Sequence, residues 1–429
     1  MPQDVTRRLF LAGAGTLATS ALSGAPSDRT TVGMIAVGAR AHQLLEAMQR
    51  NGNVEIVSVF DGYKGRMERA VEKTGGRARR VASYQDILAD PSIEAVTIAS
   101  PDHWHARQCI EALEAGKDVY CEKPLTYTVD EGLEIAAAVK KTGKILQVGS
   151  QGISTPNQIK AREYVQDGKL GKVTMVRAYY NRNSKSGAWI YPIPPDANRE
   201  TVDWDLFLGS APKHDFSLER FFRWRCFKDY SGGIATDLFV HLCTTIHYVM
   251  GAKAPAEVVA FGDLYRWKKS RNVPDTLNAI LRYPEGFTVN LSSTFNNESA
   301  GTGFEFLGTE GSISLGYRGF TFQEEVVREN NSWITTSWPT ELEEAYKRKH
   351  PEEQRRPDRP EPEEFMERGA SDTRLHLAGF IDCVRTRKQP VEDVWAGHRA
   401  AACAHMINAS AETGAVIRWD DDKNRIARA

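Results

Sequence analysis

The sequence predicts two domains: an α/β domain with a parallel, doubly wound sheet, then an α+β domain built on a mostly antiparallel open sheet. Three observations predict this. From residue 30 to residue 150, short apolar runs alternate with helical stretches of roughly 10 to 15 residues, the pattern of parallel strands joined by helical crossovers. Between residues 256 and 323 the apolar positions recur every second residue instead, the pattern of strands with one covered face. And 429 residues are more than one core usually serves.

The elements follow in order. Thr31–Val37 is an apolar run that reads as a buried strand turning at Gly38 into a helix that starts near Arg40. Glu55–Phe60 is a second strand, ending at Asp61, and helices follow over 64–74 and 84–89. Ala95–Ala99 is the third strand. A helix over 104–115, a strand over 118–121, a helix over 129–142 and a strand over 144–148 complete the domain. In the second half, residues 151–429, the spacing predicts a helix over 157–167, a strand over 173–180 and a long, proline-stiffened loop over 181–201. Alternating runs at 256–265, 277–283, 286–295, 302–308 and 312–323 give the antiparallel sheet. Helices over 373–385 and 396–412 pack back on the body. Residues 340–372 carry dense charge of both signs with Pro351, Pro357, Pro360 and Pro362, and predict an exposed, partly flexible excursion in which no chemistry is legible.

Composition excludes several classes. The 55 basic and 56 acidic side chains nearly cancel, which gives no electrostatic reason to expect a nucleic acid or an anionic membrane as partner. The six cysteines (109, 121, 226, 243, 383 and 403) form no Cys-x-x-Cys pair, so neither a zinc ribbon nor a dithiol motif is expected, and no metal site is predicted. They read as small buried apolar residues. At the amino terminus, Thr6-Arg7-Arg8-Leu9-Phe10-Leu11 precedes a small, uncharged stretch to Ala21 and then Ser23-Gly24-Ala25. A paired arginine ahead of a mildly apolar run is a twin-arginine signal, assigned here to residues 1–25. It predicts the twin-arginine export machinery as a partner, a periplasmic or secreted location, and no membrane association once removed. Past it, no apolar run approaches the roughly 20 residues of a membrane span.

The turn after the first strand is a degenerate phosphate loop, Ala36-x-Gly38-x-x-Ala41. Gly38 stands where backbone approaches a pyrophosphate, and Ala41 is an accepted variant of the third glycine. Ala36 is the weaker position, because the tight turn there favours a residue without Cβ. Asp61 lies 23 residues past Gly38 at the end of the second strand, where a carboxylate accepts from ribose hydroxyls and repels a 2′-phosphate. That favours NAD over NADP, although Arg66 lies near enough in sequence to blur the preference; a helix N-cap is the competing role for Asp61.

Two further motifs carry chemistry. Glu122-Lys123-Pro124 follows a strand, and a lysine at the carboxyl end of a strand lies in the crevice where open α/β sheets bind ligands. In Ser231–His241, Asp237 and His241 are spaced i, i+4, which puts both on one face of a helix. Removing a hydroxyl proton during hydride transfer needs a base, and histidine is the side chain tuned for that near neutral pH. A solvated lysine and a surface Asp/His pair are the plainer readings. Trp189, Tyr191, Trp204, Trp224 and Tyr230 crowd the loops before this helix, suited to sugar faces or to a core. Arg223 and Arg225 are placed to reach an anion or to make ion pairs.

Together with Ser100-Pro101-Asp102-His103-Trp104-His105-Ala106, Gly149-Ser150-Gln151, Leu170-Gly171-Lys172-Val173, Trp204–Gly209 and Gly397-His398-Arg399, these motifs resemble the Gfo/Idh/MocA oxidoreductase family (glucose-fructose oxidoreductase, inositol dehydrogenase, rhizopine catabolism). The resemblance implies a Rossmann domain binding NAD or NADP, with Ala36, Gly38, Ala41, Asp61, Ser100, Pro101, Trp104, His105 and Glu122 at the cofactor. It implies catalysis by Lys123, Asp237 and His241: His241 as acid/base, Lys123 holding the reacting hydroxyl, Asp237 positioning substrate. A sugar-like substrate, met also by Arg223, Trp224 and Tyr230, and a homo-oligomer paired through the open sheet are further implications. The signal and the Arg223-Trp224-Arg225 stretch resemble an exported branch that includes NAD-dependent glycosidases. Three functions follow: oxidation of a secondary hydroxyl of a sugar, glycoside or polyol; a redox-neutral glycosidase or epimerase with tightly held NAD; and a non-catalytic binding protein, against which the intact Lys123, Asp237 and His241 argue.

Overall fold

A computed structural model describes residues 29–327, 332–354, 358–369 and 371–427. The segment read as an export signal lies outside the described residues. The first domain runs β1 (Thr30–Ile35), α1 (Ala39–Asn51), β2 (Val54–Phe60), α2 (Lys64–Lys73), β3 (Arg79–Arg80), α3 (Tyr84–Ala89), β4 (Ala95–Ile98), α4 (Asp102–Glu114), β5 (Asp118–Glu122), α5 (Val129–Thr142) and β6 (Leu146–Gly149). Its six strands pair in parallel in the order β3-β2-β1-β4-β5-β6. The order reverses beside β1, and ligands of such sheets bind at that switch point, outside the carboxyl ends of the strands. Every residue of β4 and β5 is buried, as helices on both faces require.

Local chemistry sets the helix limits. The Thr128 hydroxyl and the Glu131 carboxylate form a reciprocal cap at the start of α5, Lys140 and Lys141 fill its last turn, and Gly143 closes it in a left-handed conformation. Ser83 and Asp86 cap α3 in the same way. The two-residue strand β3 is too short for periodicity to reveal.

The second domain follows with α6 (Pro156–Gln166), β7 (Val173–Asn183), the short helices α7 (Trp204–Leu208) and α8 (Leu218–Phe222), a π-helical turn over Ala235–Phe239, and α9 (Val240–Met250). Then come β8 (Glu257–Asp263), β9 (Thr276–Tyr283), β10 (Phe287–Thr294), β11 (Asn296–Gly308), β12 (Gly311–Leu315), β13 (Gly319–Glu324), α10 (Thr340–Lys349), β14 (Glu363–Met366), α11 (Asp372–Thr386), α12 (Val394–Thr413), β15 (Ile417–Asp420) and β16 (Arg425–Ile426). Ten strands form one sheet in the order β14-β13-β12-β11-β7-β10-β9-β8-β15-β16, antiparallel except for the β7/β10 pair. Burial alternates along β9 and β10, so one face covers a core and the other is open.

Three differences from the sequence reading have physical causes. The run 312–323 is a hairpin, because Gly316, Tyr317 and Arg318 turn the chain between Leu315 and Phe320, which face each other in register. The charged excursion is exposed along α10, yet its far end adds β14 to the sheet edge against β13. And α11, late in the chain, packs into the core of the first domain: Leu377, Phe380 and Ile381 lie with Leu44, Leu45 and Met48 of α1. Arg387 reinforces this with a two-pronged pair to Asp118, at 2.7 and 2.9 Å. All six cysteines are buried and unbridged.

Candidate active site

At the switch point, the turn after β1 is built as the degenerate loop requires. Ala36 adopts a left-handed backbone with φ of 62°, and its N–H donates to Phe60 O at 2.8 Å. Gly38 begins α1 with no side-chain cap, and the first turn carries no acidic residue. The free N–H groups of that turn and the positive end of the helix dipole are a ready seat for a phosphate anion. Ala41 is wholly buried behind it. A cavity of about 440 Å³ opens here, lined by Gly38, Asp61, Arg66, Pro101, Trp104 and Trp224 among others.

Asp61 is a strut of this loop as well as part of its wall. Its Oδ2 accepts from Val37 N–H at 2.8 Å and its Oδ1 from Tyr63 N–H at 2.9 Å, with Arg66 Nη1 at 3.4 Å. The start of α2 falls to Tyr63 rather than to Asp61. Pro101 precedes α4, and Trp104 donates its indole N–H to Phe207 O at 3.1 Å, with the ring flanking the cavity. Ser100 lines the same cavity and donates to Gln108 Oε1 at 2.7 Å. His105 sits elsewhere. It is buried with one ring nitrogen 2.6 Å from Pro124 O and the other 2.9 Å from Ser100 O, so it braces the turns that carry Ser100 and Lys123. Glu122 is likewise buried, accepting from Arg40 at 2.9 Å and from Gln151 at 2.8 Å.

A second cavity of about 690 Å³ adjoins the first, sharing Arg40, Gln43, Tyr191 and Arg225 with it. Here the structure brings together the three residues that the two motifs supplied. The Lys123 ammonium donates to Asp237 Oδ1 at 2.8 Å and to the Asp237 main-chain carbonyl at 2.9 Å. Arg225 Nε also reaches Oδ1, at 2.9 Å, and the Trp189 indole N–H reaches Oδ2, at 3.0 Å. Burial alone would raise the Asp237 carboxyl, but Lys123 and Arg225 outweigh it and hold the group well below the usual carboxylate range. His241 lines the same cavity; burial first, then the Lys123 charge, lowers its imidazole to about 3. It is therefore neutral at physiological pH.

The expected α-helical i, i+4 pair is corrected in detail. Asp237 belongs to the π turn, in which Val240 N–H reaches back five residues to Ala235 O, and only from Val240 onward is the helix α. Such wide turns insert one residue and re-aim the side chains beside it. The turn is packed tightly: a Cβ on Gly232 would stand 2.4 Å from Thr236 Cγ2, while Thr236 Oγ1 accepts from Gly232 N–H at 3.0 Å and donates to Asp102 Oδ2 at 3.3 Å. Burial pushes the Asp102 carboxyl up to about 7, against the lowering effect of Arg225 and Lys123.

Of the residues expected at the substrate, Trp224 lines the first cavity. Arg223 turns to Tyr191 O at 2.9 Å, while its neighbour Arg225 enters the site. Tyr230 is fully buried, its ring centroid 4.8 Å from that of Phe207 and 5.3 Å from that of His103, and is part of the aromatic core beneath the site. The sequence reading missed Tyr180 and Arg182 of β7, which line the second cavity. Their signal was present: they continue the inward register of Val176 and Ala178 with polar side chains. Trp189 was singled out only as one of several aromatics; nothing in the local sequence shows that it holds Asp237.

A Rossmann domain with a free helix amino terminus, whose Lys123 after β5 meets a locked carboxylate from the π turn and a histidine of α9 in the second domain, defines a dinucleotide-dependent oxidoreductase. Residues 30–150 match the family model described as an oxidoreductase family, NAD-binding Rossmann fold, and residues 200–418 match its C-terminal alpha/beta domain. The chain belongs to the Gfo/Idh/MocA family of nicotinamide-dependent oxidoreductases. It is similar to 1,5-anhydro-D-fructose reductase of Ensifer adhaerens, 25% identical over 281 residues that cover 66% of this chain and 74% of the relative. Scyllo-inositol 2-dehydrogenase (NAD(+)) of Bacillus subtilis is 24% identical over 344 residues, covering 79% and 80%. A shorter match, to inositol 2-dehydrogenase/D-chiro-inositol 3-dehydrogenase of Lactiplantibacillus plantarum, is 30% identical but spans 45% of that relative. Among solved structures, levoglucosan dehydrogenase in complex with NADH and levoglucosan superposes with a TM-score of 0.67 at 20% identity, over 91% of this chain and 99% of that one.

Proposed function

We propose that the protein oxidises a secondary hydroxyl of a sugar, glycoside or polyol with NAD as acceptor. The observation that carries this reading is the neutral His241 in one polar cavity with a Lys123 ammonium anchored on Asp237. An ammonium has three N–H donors. Two are held by Asp237, and the third is left for the oxygen of a substrate hydroxyl. A positive charge there favours the alkoxide over the alcohol, and the neutral imidazole of His241 takes the proton. Asp237 holds Lys123 in place through both bonds. Trp189 and Arg225 in turn fix the Asp237 carboxylate. The bound nicotinamide supplies the carbon that accepts the hydride. The uncapped first turn of α1, Asp61 and Pro101 fit such a dinucleotide in the adjoining cavity.

Direct assay tests this: purified protein is given NAD and a panel of sugars, glycosides and polyols, and absorbance of reduced nicotinamide is followed. Reduction with at least one of them, abolished in His241→Ala and Lys123→Ala while NAD still binds, supports the assignment. Near-normal turnover in either variant overturns it.

A second reading draws on the amino terminus, and we propose with it that residues 1–25 direct export through the twin-arginine machinery. NAD is scarce outside the cytoplasm, so an exported enzyme gains from keeping its cofactor and running a redox-neutral reaction, as a glycosidase or epimerase does. Denaturing the freshly purified mature protein and quantifying released nicotinamide separates the two. Near-stoichiometric NAD supports the captive-cofactor reading; little or none supports the dehydrogenase.

A further inference from the structure

The cavity that holds Lys123 and His241 carries a cation that no carboxylate answers. Its Glu122 is taken by Arg40, at 2.9 Å. Its Asp237 is shared by Lys123 and Arg225, at 2.8 and 2.9 Å, so one carboxylate already serves two cations. Of the other carboxylates in the wall, Glu46 pairs with Lys73, and Asp372 receives the Thr373 N–H at the start of α11. Arg182, at the end of β7, lines the same cavity and makes no ion pair among the described residues. Its one hydrogen bond there runs from Nη2 to the Tyr180 hydroxyl, at 3.0 Å, and its guanidinium carbon stands 4.8 Å from the centre of that ring.

We propose that Arg182 receives a carboxylate of the substrate, so that the sugar oxidised is a uronic acid or a glycoside of one. The inference rests on the sugar-oxidoreductase reading above and names its substrate class. Three observations carry it. The first is the missing counter-ion. A guanidinium withdrawn from bulk water gains from an anionic partner, and its planar fork matches a carboxylate with two parallel hydrogen bonds. Tyr180 occupies a single N–H donor, which leaves the rest of the fork for a ligand. The second is placement. Arg225 borders both the dinucleotide cavity and the reaction cavity, whereas Arg182 borders the reaction cavity and not the other, so it is placed for the substrate and not for a pyrophosphate. The third is its reach. Burial and Lys123 lower the His241 imidazole, and the Arg182 charge adds to that lowering; at Asp237, Arg182 joins Lys123 and Arg225 against the effect of burial. A carboxylate held by Arg182 is thus near enough to the reaction centre to share one sugar ring with the reacting hydroxyl. One unmatched guanidinium suits one negative charge, which a carboxylate carries and a phosphate monoester exceeds at neutral pH.

The test gives the holoenzyme the methyl glycosides of glucuronic, galacturonic and mannuronic acid. Each is set beside its neutral uronamide and its parent neutral glycoside, and a sulfated and a phosphorylated methyl glucoside serve as other anions. Consumption is followed by chromatography, and binding by saturation-transfer NMR. In at least one set the uronate is expected to show a kcat/KM about tenfold or more above its uronamide, mainly through KM. The uronate KM is also expected to rise with added salt while the uronamide KM does not, because salt screens the charge pair. Arg182→Gln is expected to raise the uronate KM to that of the uronamide with NAD affinity unchanged, and Arg182→Lys to restore part of the preference. If these variants fail to fold, the uronate-to-uronamide ratio and the salt dependence of the unaltered enzyme decide the matter. Equal use of uronate and uronamide overturns the carboxylate assignment and leaves the proposed function standing, as does an equal loss for both in Arg182→Gln. Preference for the sulfated or phosphorylated glucoside over every uronate overturns it likewise. Neither turnover nor binding with any of these compounds overturns the proposed function and the inference together.

Discussion

The Lys123 ammonium bonds Asp237 twice across 114 residues of sequence, once at the carboxylate and once at the main-chain carbonyl. The second bond depends on the backbone of the π turn, so it survives replacement of the Asp237 side chain. Lys123 stays in place in such variants but loses its partner anion.

Asp237→Asn is therefore expected to keep the fold and lower stability, because Lys123 and Arg225 then share a neutral amide. Removing one partner of a buried pair costs about 3 kcal/mol or more, and chemical denaturation measures it. Turnover is expected to drop at least about 100-fold, with NAD affinity changed less than about threefold, since a neutral amide neither steadies nor aims the ammonium as the carboxylate does. Unchanged stability would show that the carboxylate is not what balances the two cations.

His241 gives a pH prediction. Its lowered value of about 3 leaves the imidazole neutral as pH falls well below 6.5, so it can still accept a proton there. The acidic limb of kcat/KM is expected below pH 5, and His241→Ala is expected to lose roughly 10² to 10⁴-fold. An acidic limb centred near 6.5 would mean that a different histidine, or an unburied His241, is the base.

Ala36 holds a left-handed conformation that costs an L-residue roughly 1–2 kcal/mol. Ala36→Gly removes that strain but adds freedom to the unfolded chain, so the net gain expected is about 0.5–1 kcal/mol. Urea denaturation checks it. Loss of stability on this change would show that the Ala36 methyl is a packing contact.

Glu392 is buried, with its carboxylate accepting from Ser150 N–H at 3.1 Å, and burial raises it from 4.5 to about 8. A raised carboxyl binds more protons folded than unfolded, so stability falls as pH rises from about 4.5 to about 8. The histidines lowered by desolvation to between about 3 and 4, His103, His241, His247, His376 and His405, act oppositely and only below 6.5. Between pH 6.5 and 8, Glu392→Gln is therefore expected to lose less stability than the unaltered protein, by on the order of 1–2 kcal/mol. Parallel stability curves over that range would show that Glu392 is ionised in the folded state.

Much of the first domain was legible because its determinants are local. The limits of α5 follow from Thr128, Glu131 and Gly143 within one stretch of chain, and the limits of α3 from Ser83 and Asp86. The hairpin at Gly316 was less legible, since a three-residue turn inside an alternating run leaves the alternation almost intact. The π turn at Asp237 was not legible at all: its registry depends on Gly232 meeting Thr236, and on Asp102 from another domain.

By itself the sequence determined the alternation of strands and helices and the tight turn after the first strand with its compromised Ala36, because periodicity, capping and turn conformation act over a few residues, and it singled out the three side chains that the proposed chemistry uses. Only the tertiary structure decided that Arg225 rather than Arg223 enters the site, that Tyr230 and His105 brace it from behind, and that Trp189 clamps Asp237. Those outcomes depend on contacts between segments tens to hundreds of residues apart. They are set by how two cores pack against each other, which no local pattern records.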